Sequence, residues 1–178
     1  ARLDAHCLPR EHTARYCYSG TVLNTTPQAL STCRSPIQIG AEIYGYAGVA
    51  ADIEIIRLML HTLQQSGLKT VHLDIGHVAI FRELAKAAQL SVEIEQQLFD
   101  IYQRKSLPEL EALRSHLPYA DWFVALGVLS GDISILQQAQ TLLSEAPATV
   151  KQALTDMRTV VEALQDFSDW VSISIDLS

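Results

Sequence analysis

From Pro36 to Gly45 the chain reads P-I-Q-I-G-A-E-I-Y-G, and this alternation constrains the fold more than any other stretch. Ile37, Ile39, Ala41 and Ile43 share one parity, while Gln38, Gly40, Glu42 and Tyr44 share the other. Successive side chains of a strand point to opposite faces. The segment therefore predicts a strand over Ile37–Gly45 with one buried apolar face and one acceptor-rich face. Upstream, R-Y-C-Y-S-G-T-V-L-N from Arg15 to Asn24 is rich in β-branched and aromatic residues and reads as a second strand. The intervening T-T-P-Q-A-L-S-T-C-R-S-P, with Pro27 and Pro36, reads as a loop, so the two strands are expected to pair antiparallel.

Further along, the pattern switches to helical spacing. Gly45 to Gly48 turns the chain into a helix over about Ala51–Gln65, apolar around most of its circumference and so expected to be buried on two sides. Ser66-Gly67-Leu68 is its stop signal, with glycine at the left-handed position. Val71 to Gly76 alternates and reads as a strand, and H-V-A-I-F-R-E-L-A-K-A-A-Q opens another helix. From about Ser91 to Asp166 the spacing is nearly all helical. Ser106 to Glu109 carries a start signal with Pro108 in the first turn. Ser130-Gly-Asp132 opens one helix, and Pro147 precedes another. Trp170 to Leu177 alternates again as a returning strand. The reading is an α+β domain over residues 1–90, a helical insert over 91–166 and a returning strand over 167–178. The first residues look like the middle of a helix, so an internal piece of a longer protein is expected.

Composition narrows the function. The 178 residues, 48% of them apolar, are enough to bury a sizeable core. No apolar run nears the roughly 18 residues of a membrane span, and no basic-then-apolar leader is present. Residues 1–40 carry four arginines against Asp4 and Glu11, whereas residues 41–178 carry nine cations against eighteen anions. So acidic a remainder disfavours nucleic acid, whose phosphates call for Lys/Arg clusters. Cys7, Cys17 and Cys33 are too few and scattered for a disulfide framework; they predict a reducing compartment and buried, hydrophobe-like thiols. The six histidines lack ligand spacing with acid support, so no metal site is predicted, although His72 and Asp74 share a strand face and form a weak pair. The sequence contains no G-x-S-x-G, P-loop or G-x-G-x-x-G.

Gln38 and Glu42 stand out. A carboxylate in the middle of an otherwise apolar strand is costly if buried without a partner. An amide oxygen and a carboxylate on one strand face, about 13 Å end to end, suit a ligand ammonium. Gly40 between them leaves room. Two plainer explanations stay open: a solvent-facing strand face, or an arginine partner elsewhere.

These residues also carry a family pattern. R-Y-C-Y-S-G-T-V-L-N-T-T-P-Q-A-L-S-T-C-R-S-P-I-Q-I-G-A-E-I-Y-G resembles motif 2 of class II histidyl-tRNA synthetases. Together with A-R-L-D-A-H, the extension to A-D-I-E-I-I, and L-D-I-G-H-V-A-I-F-R-E-L, it resembles still more closely a paralogous family, the regulatory subunits of ATP phosphoribosyltransferase. The resemblance implies a class II synthetase-like antiparallel sheet flanked by helices. It also implies a cytoplasmic, non-catalytic subunit without cofactor, a homodimer within a hetero-oligomer, with a short-form catalytic subunit as partner and histidine as effector in histidine biosynthesis. Position by position, Gln38 and Glu42 match the residues that hold the amino acid. Arg34 matches a loop arginine, and Tyr44 is a further pocket contact. Asn24 and Thr26 stand where the synthetases place an arginine and a glutamate for ATP. A neutral amide does not replace a guanidinium against phosphate, so loss of the ATP site is implied. The alternative is an active histidyl-tRNA synthetase; a third is a class II paralogue with another ligand.

Overall fold

The computed structural model describes residues 12–23 and 34–178. The chain parts into two compact units at Gln65 and Ser66.

In the first unit, β1 (Ala14–Thr21) and β2 (Ile37–Tyr44) form the antiparallel pair that the alternation predicts. Ala14 lies opposite Tyr44 and Thr21 opposite Ile37. Tyr16 therefore faces Glu42, Tyr18 faces Gly40 and Gly20 faces Gln38. The chain leaves β2 through Gly45, whose positive φ of 80° suits a residue without a Cβ; a methyl there would strike the carbonyl of His12. The following helix, α1 (Val49–Gln65), packs on β2. An ion pair links the hairpin to it: Arg15 Nε and Nη2 donate to the two Glu54 carboxylate oxygens at 2.5 and 2.8 Å. That hydrogen bond raises the arginine and lowers the carboxyl from their ordinary pKa values.

Three expectations for this unit need correction. The isoleucine face is only partly covered, because Ile37 and Ile39 stay 77% and 62% exposed. Among the described residues of α1 only Leu60 is fully buried, while Leu58 and Met59 are exposed. A single helix covers a strip about 10 Å wide, less than the length of an eight-residue strand. Cys17 is exposed rather than buried, since its parity puts it on this incompletely covered face. Cys7 and Cys33 lie outside the described residues.

The second unit begins with β3 (Val71–Ile75), α2 (Val78–Ala87) and α3 (Val92–Gln103). Next come α4 (Leu107–Leu113), a short turn of 3-10 helix, and α5 (Ala120–Val128). Then follow β4 (Ser130–Gly131), α6 (Ser134–Leu142), α7 (Ala148–Glu162) and β5 (Val171–Asp176). β5 is central: it pairs parallel with β3, Val71 opposite Val171 through Ile75 opposite Ile175, and antiparallel with β4. The two-residue β4 lies where the sequence predicts only a helix start; local spacing does not anticipate so short a bridge.

Helical periodicity supplies the core. Leu84, Leu98, Phe123, Leu126, Leu136 and Leu154 are fully excluded from water, each stabilising by about 1.5–3 kcal/mol on transfer from water. The Tyr102 hydroxyl donates to the Phe123 carbonyl at 2.8 Å, and burial pushes this phenol well above its usual pKa. Ser91 caps α3, its Oγ accepting from Ile94 N at 3.4 Å. At α4 the expected capping geometry changes: Ser106 donates to the Glu109 side chain at 2.7 Å and makes no cap bond to the backbone. Gly67 adopts a positive φ of 88° after α1, as its stop signal predicts. In the second unit β3 lies against β5 and α2 against α7.

Candidate functional site

Period-two geometry and the hairpin register together build one polar face. From β2 it receives Gln38, Gly40, Glu42 and Tyr44; from β1 it receives Tyr16 and Tyr18. The Tyr44 hydroxyl donates to Glu42 Oε2 at 2.5 Å, short for a neutral donor and typical of an O–H on a carboxylate. Tyr16 meets the Tyr44 ring edge-on, with centroids 5.9 Å apart. At the other end, Gln38 Nε2 donates to the Tyr18 hydroxyl at 2.8 Å. The space above Gly40 is not vacant: the Tyr18 ring occupies it, where any added Cβ would collide. The sequence reads that glycine as room for a ligand; the structure uses it for the cross-strand tyrosine.

This arrangement presents acceptors. With its amide nitrogen engaged, Gln38 offers its carbonyl oxygen. Glu42 is exposed, and a carboxylate accepts up to about four hydrogen bonds, of which Tyr44 supplies one. The partner that Glu42 shows among the described residues is thus a phenol. The nearby Arg15 has the opposite parity and pairs with Glu54. Arg34 is exposed ahead of β2. Asn24 and Thr26 lie outside the described residues. The two tyrosines of β1 were missed as site residues; the spacing of Tyr16 and Tyr18 already put them on one face, but only register shows which face of β2 they join.

Other features fall elsewhere. A cavity of about 520 Å³ between the hairpin and α1 is lined by Cys17, Ile39, Ala41, Ile55 and Met59 among others, and includes neither Gln38 nor Glu42. On the sheet of the second unit, His72 Nε2 lies 3.1 Å from Asp74 Oδ1, as the shared strand face predicts. The parallel register adds two unforeseen neighbours: Ser172 Oγ is 2.7 Å from His72 Nδ1, and Ser174 bonds Asp74. This network is mostly exposed, where such pairs contribute little. No group of three or more metal-ligating side chains occurs among the described residues.

Comparison with known proteins places the chain. A family model described as histidyl-tRNA synthetase matches residues 1–178. The chain is 49% identical over 166 residues to an ATP phosphoribosyltransferase regulatory subunit of Pseudomonas paraeruginosa, and 50% identical over 166 residues to that of Azotobacter vinelandii. Each match covers 92% of this chain and 42% of the relative, so the chain spans less than half the length of these curated proteins. Among solved structures, it is similar to an ATP phosphoribosyltransferase regulatory subunit/histidyl-tRNA synthetase from Bacillus halodurans. That match has a TM-score of 0.78 at 24% identity and covers 99% of this chain and 46% of the other. It is also similar to a chain of the ATP phosphoribosyl transferase (HisG:HisZ) complex from Thermotoga maritima, with a TM-score of 0.67 at 17% identity, covering 96% and 59%. At these identities the structures establish the fold, that of class II synthetase-like proteins.

Proposed function

The chain belongs to the histidyl-tRNA synthetase family, and within that family we propose that it is part of a regulatory subunit of ATP phosphoribosyltransferase with no catalysis of its own. The observation that carries this reading is identity of about one half with regulatory subunits across 92% of the chain. The partner in this reading is a short-form catalytic subunit, which transfers phosphoribosyl to ATP; the complex named for one structural neighbour supports such an assembly. The subunit is a homodimer within that hetero-oligomer, in the cytoplasm, and serves histidine biosynthesis. Residues 1–90 and 167–178 belong to its synthetase-like domain, with 91–166 as helical insert.

Histidine is the effector. Its α-ammonium meets Glu42, with Tyr44 orienting the carboxylate through their 2.5 Å hydrogen bond, and the Gln38 carbonyl oxygen makes a separate contact to the amino acid. Asn24 and Thr26, in place of the arginine and glutamate of the synthetase motif, leave the phosphates of ATP without their usual grip. Inhibition then requires only that histidine bind the inhibited assembly more tightly than the active one.

The test is reconstitution. Full-length protein mixed with a short catalytic subunit should restore phosphoribosyl transfer to ATP, and histidine should suppress it. Histidine-dependent exchange of pyrophosphate into ATP by the protein alone would instead identify a working synthetase and overturn this reading.

A further inference from the structure

The tyrosine that fills the space above Gly40 stands between the two proposed histidine contacts. Gln38, Gly40 and Glu42 follow one another on one face of β2, so Gly40 is their midpoint. Tyr18 lies opposite Gly40 in the hairpin register. Its ring reaches across the strand pair. Cζ, Cε1 and the hydroxyl oxygen all come within 2.7 Å of the place where a Gly40 Cβ would stand. The ring therefore covers the backbone between Gln38 and Glu42.

Two features hold it there. Gln38 Nε2 donates to the Tyr18 hydroxyl at 2.8 Å and ties the ring at its tip. Gly40, lacking a side chain, lets the ring settle against the strand, a use for which glycine is suited inside a sheet. Tyr18 is nonetheless 44% exposed. A ring fixed by its backbone at one end and by a hydrogen bond at the other loses little further freedom when a ligand covers it.

The span of the site sets the consequence. Two residues advance a strand by roughly 7 Å, so Gln38 and Glu42 each start about that far from Gly40. A ligand that touches both crosses the Tyr18 ring. With the ammonium of histidine at Glu42, either its carboxylate or its imidazole lies over that ring. The face of a phenol is the negative side of its quadrupole, and Glu42 is an anion beside it, so the carboxylate is turned away. The imidazole is flat, and its edge is partly positive; it suits a phenol face in offset or edge-on contact.

We infer that Tyr18 is a further binding residue, the floor against which the imidazole ring of histidine packs between Glu42 and Gln38. The inference rests on the histidine-effector reading and adds what selects the side chain. An aliphatic amino acid brings the same ammonium to Glu42 but no flat ring to Tyr18.

The experiment follows histidine by NMR as it is titrated into the full-length protein assembled with its catalytic subunit. Packing against the phenol face should move the imidazole proton resonances upfield. Tyr18→Leu should remove that movement and weaken histidine inhibition roughly threefold to tenfold. Tyr18→Phe keeps the ring and should preserve the movement. Should Tyr18→Leu fail to fold, an Overhauser contact between the imidazole and the Tyr18 ring in the unsubstituted assembly tests the same placement, and its absence overturns the inference. Imidazole resonances that move equally in wild type and Tyr18→Leu also overturn it, while leaving the effector reading intact. A wild-type assembly that histidine neither binds nor inhibits overturns both.

Discussion

The two units divide labour unequally. Residues 1–65 carry five arginines against five acidic residues and so are neutral, whereas residues 66–178 hold the entire net charge of −7. The described residues of the first unit form a hairpin and a helix, with isoleucines still exposed; the second unit encloses a leucine-rich core. Yet the closely coupled polar face, Gln38 to Tyr44 with Tyr16 and Tyr18, lies on the first unit. A two-stranded hairpin is marginal by itself, and its polar face is ordered by cross-strand tyrosines rather than by burial. The buried core and the coupled polar face thus reside in different parts of the chain.

The sharpest challenge to this contrast is a pair of truncations. Phe123→Ala, at a fully buried position, should lose about 3–5 kcal/mol in denaturant unfolding. Ile39→Ala, on the exposed part of the hairpin, should lose less than about 0.5 kcal/mol. Comparable losses would erase the distinction.

Next in size is Glu42→Gln in the full-length protein. If the polar face is the proposed effector site, removing this charge should cost about 1.5–3 kcal/mol of histidine binding, roughly tenfold or more in the inhibition constant, with melting temperature unchanged. Unaltered inhibition would detach the polar face from the effector. Gly40→Ala should act more gently on the same face. Its methyl displaces the Tyr18 ring, Gln38 loses its partner, and histidine inhibition weakens a few-fold. An undisturbed Tyr18 ring signal in NMR spectra would contradict this.

The smallest effect belongs to the second unit. Burial raises the Asp176 carboxyl, but hydrogen bonds from Lys105 and Ser178 outweigh it and hold it below its ordinary pKa. A depressed carboxyl contributes stability above its unfolded value of about 3.9, lost as pH falls through the folded value. The pair is partly exposed and screened, so Asp176→Asn should flatten the acid limb of the stability curve by about 1 kcal/mol or less. An unchanged acid limb would show that the pair contributes nothing.

Much of this was legible in advance. The parity of Ile37 to Tyr44 gave the strand and the grouping of Gln38 with Glu42, and the loop before it gave the pairing with β1. Gly67 marked a helix stop. What failed was burial: Cys17, Ile39 and Met59 have core-type side chains and still meet solvent, because burial depends on which elements arrive opposite them. The tyrosine above Gly40 was equally hidden, since cross-strand register sets it.

Local periodicity by itself therefore determined the strands, the helices and the parity of each side chain, because φ/ψ preferences and amphipathic spacing act over a few residues. Only the tertiary structure decided that β5 runs parallel to β3, some hundred positions away in sequence, and that Tyr18 lies over Gly40. Those outcomes depend on contacts between distant segments, whose geometry is fixed by packing and register and is written in no single stretch of residues.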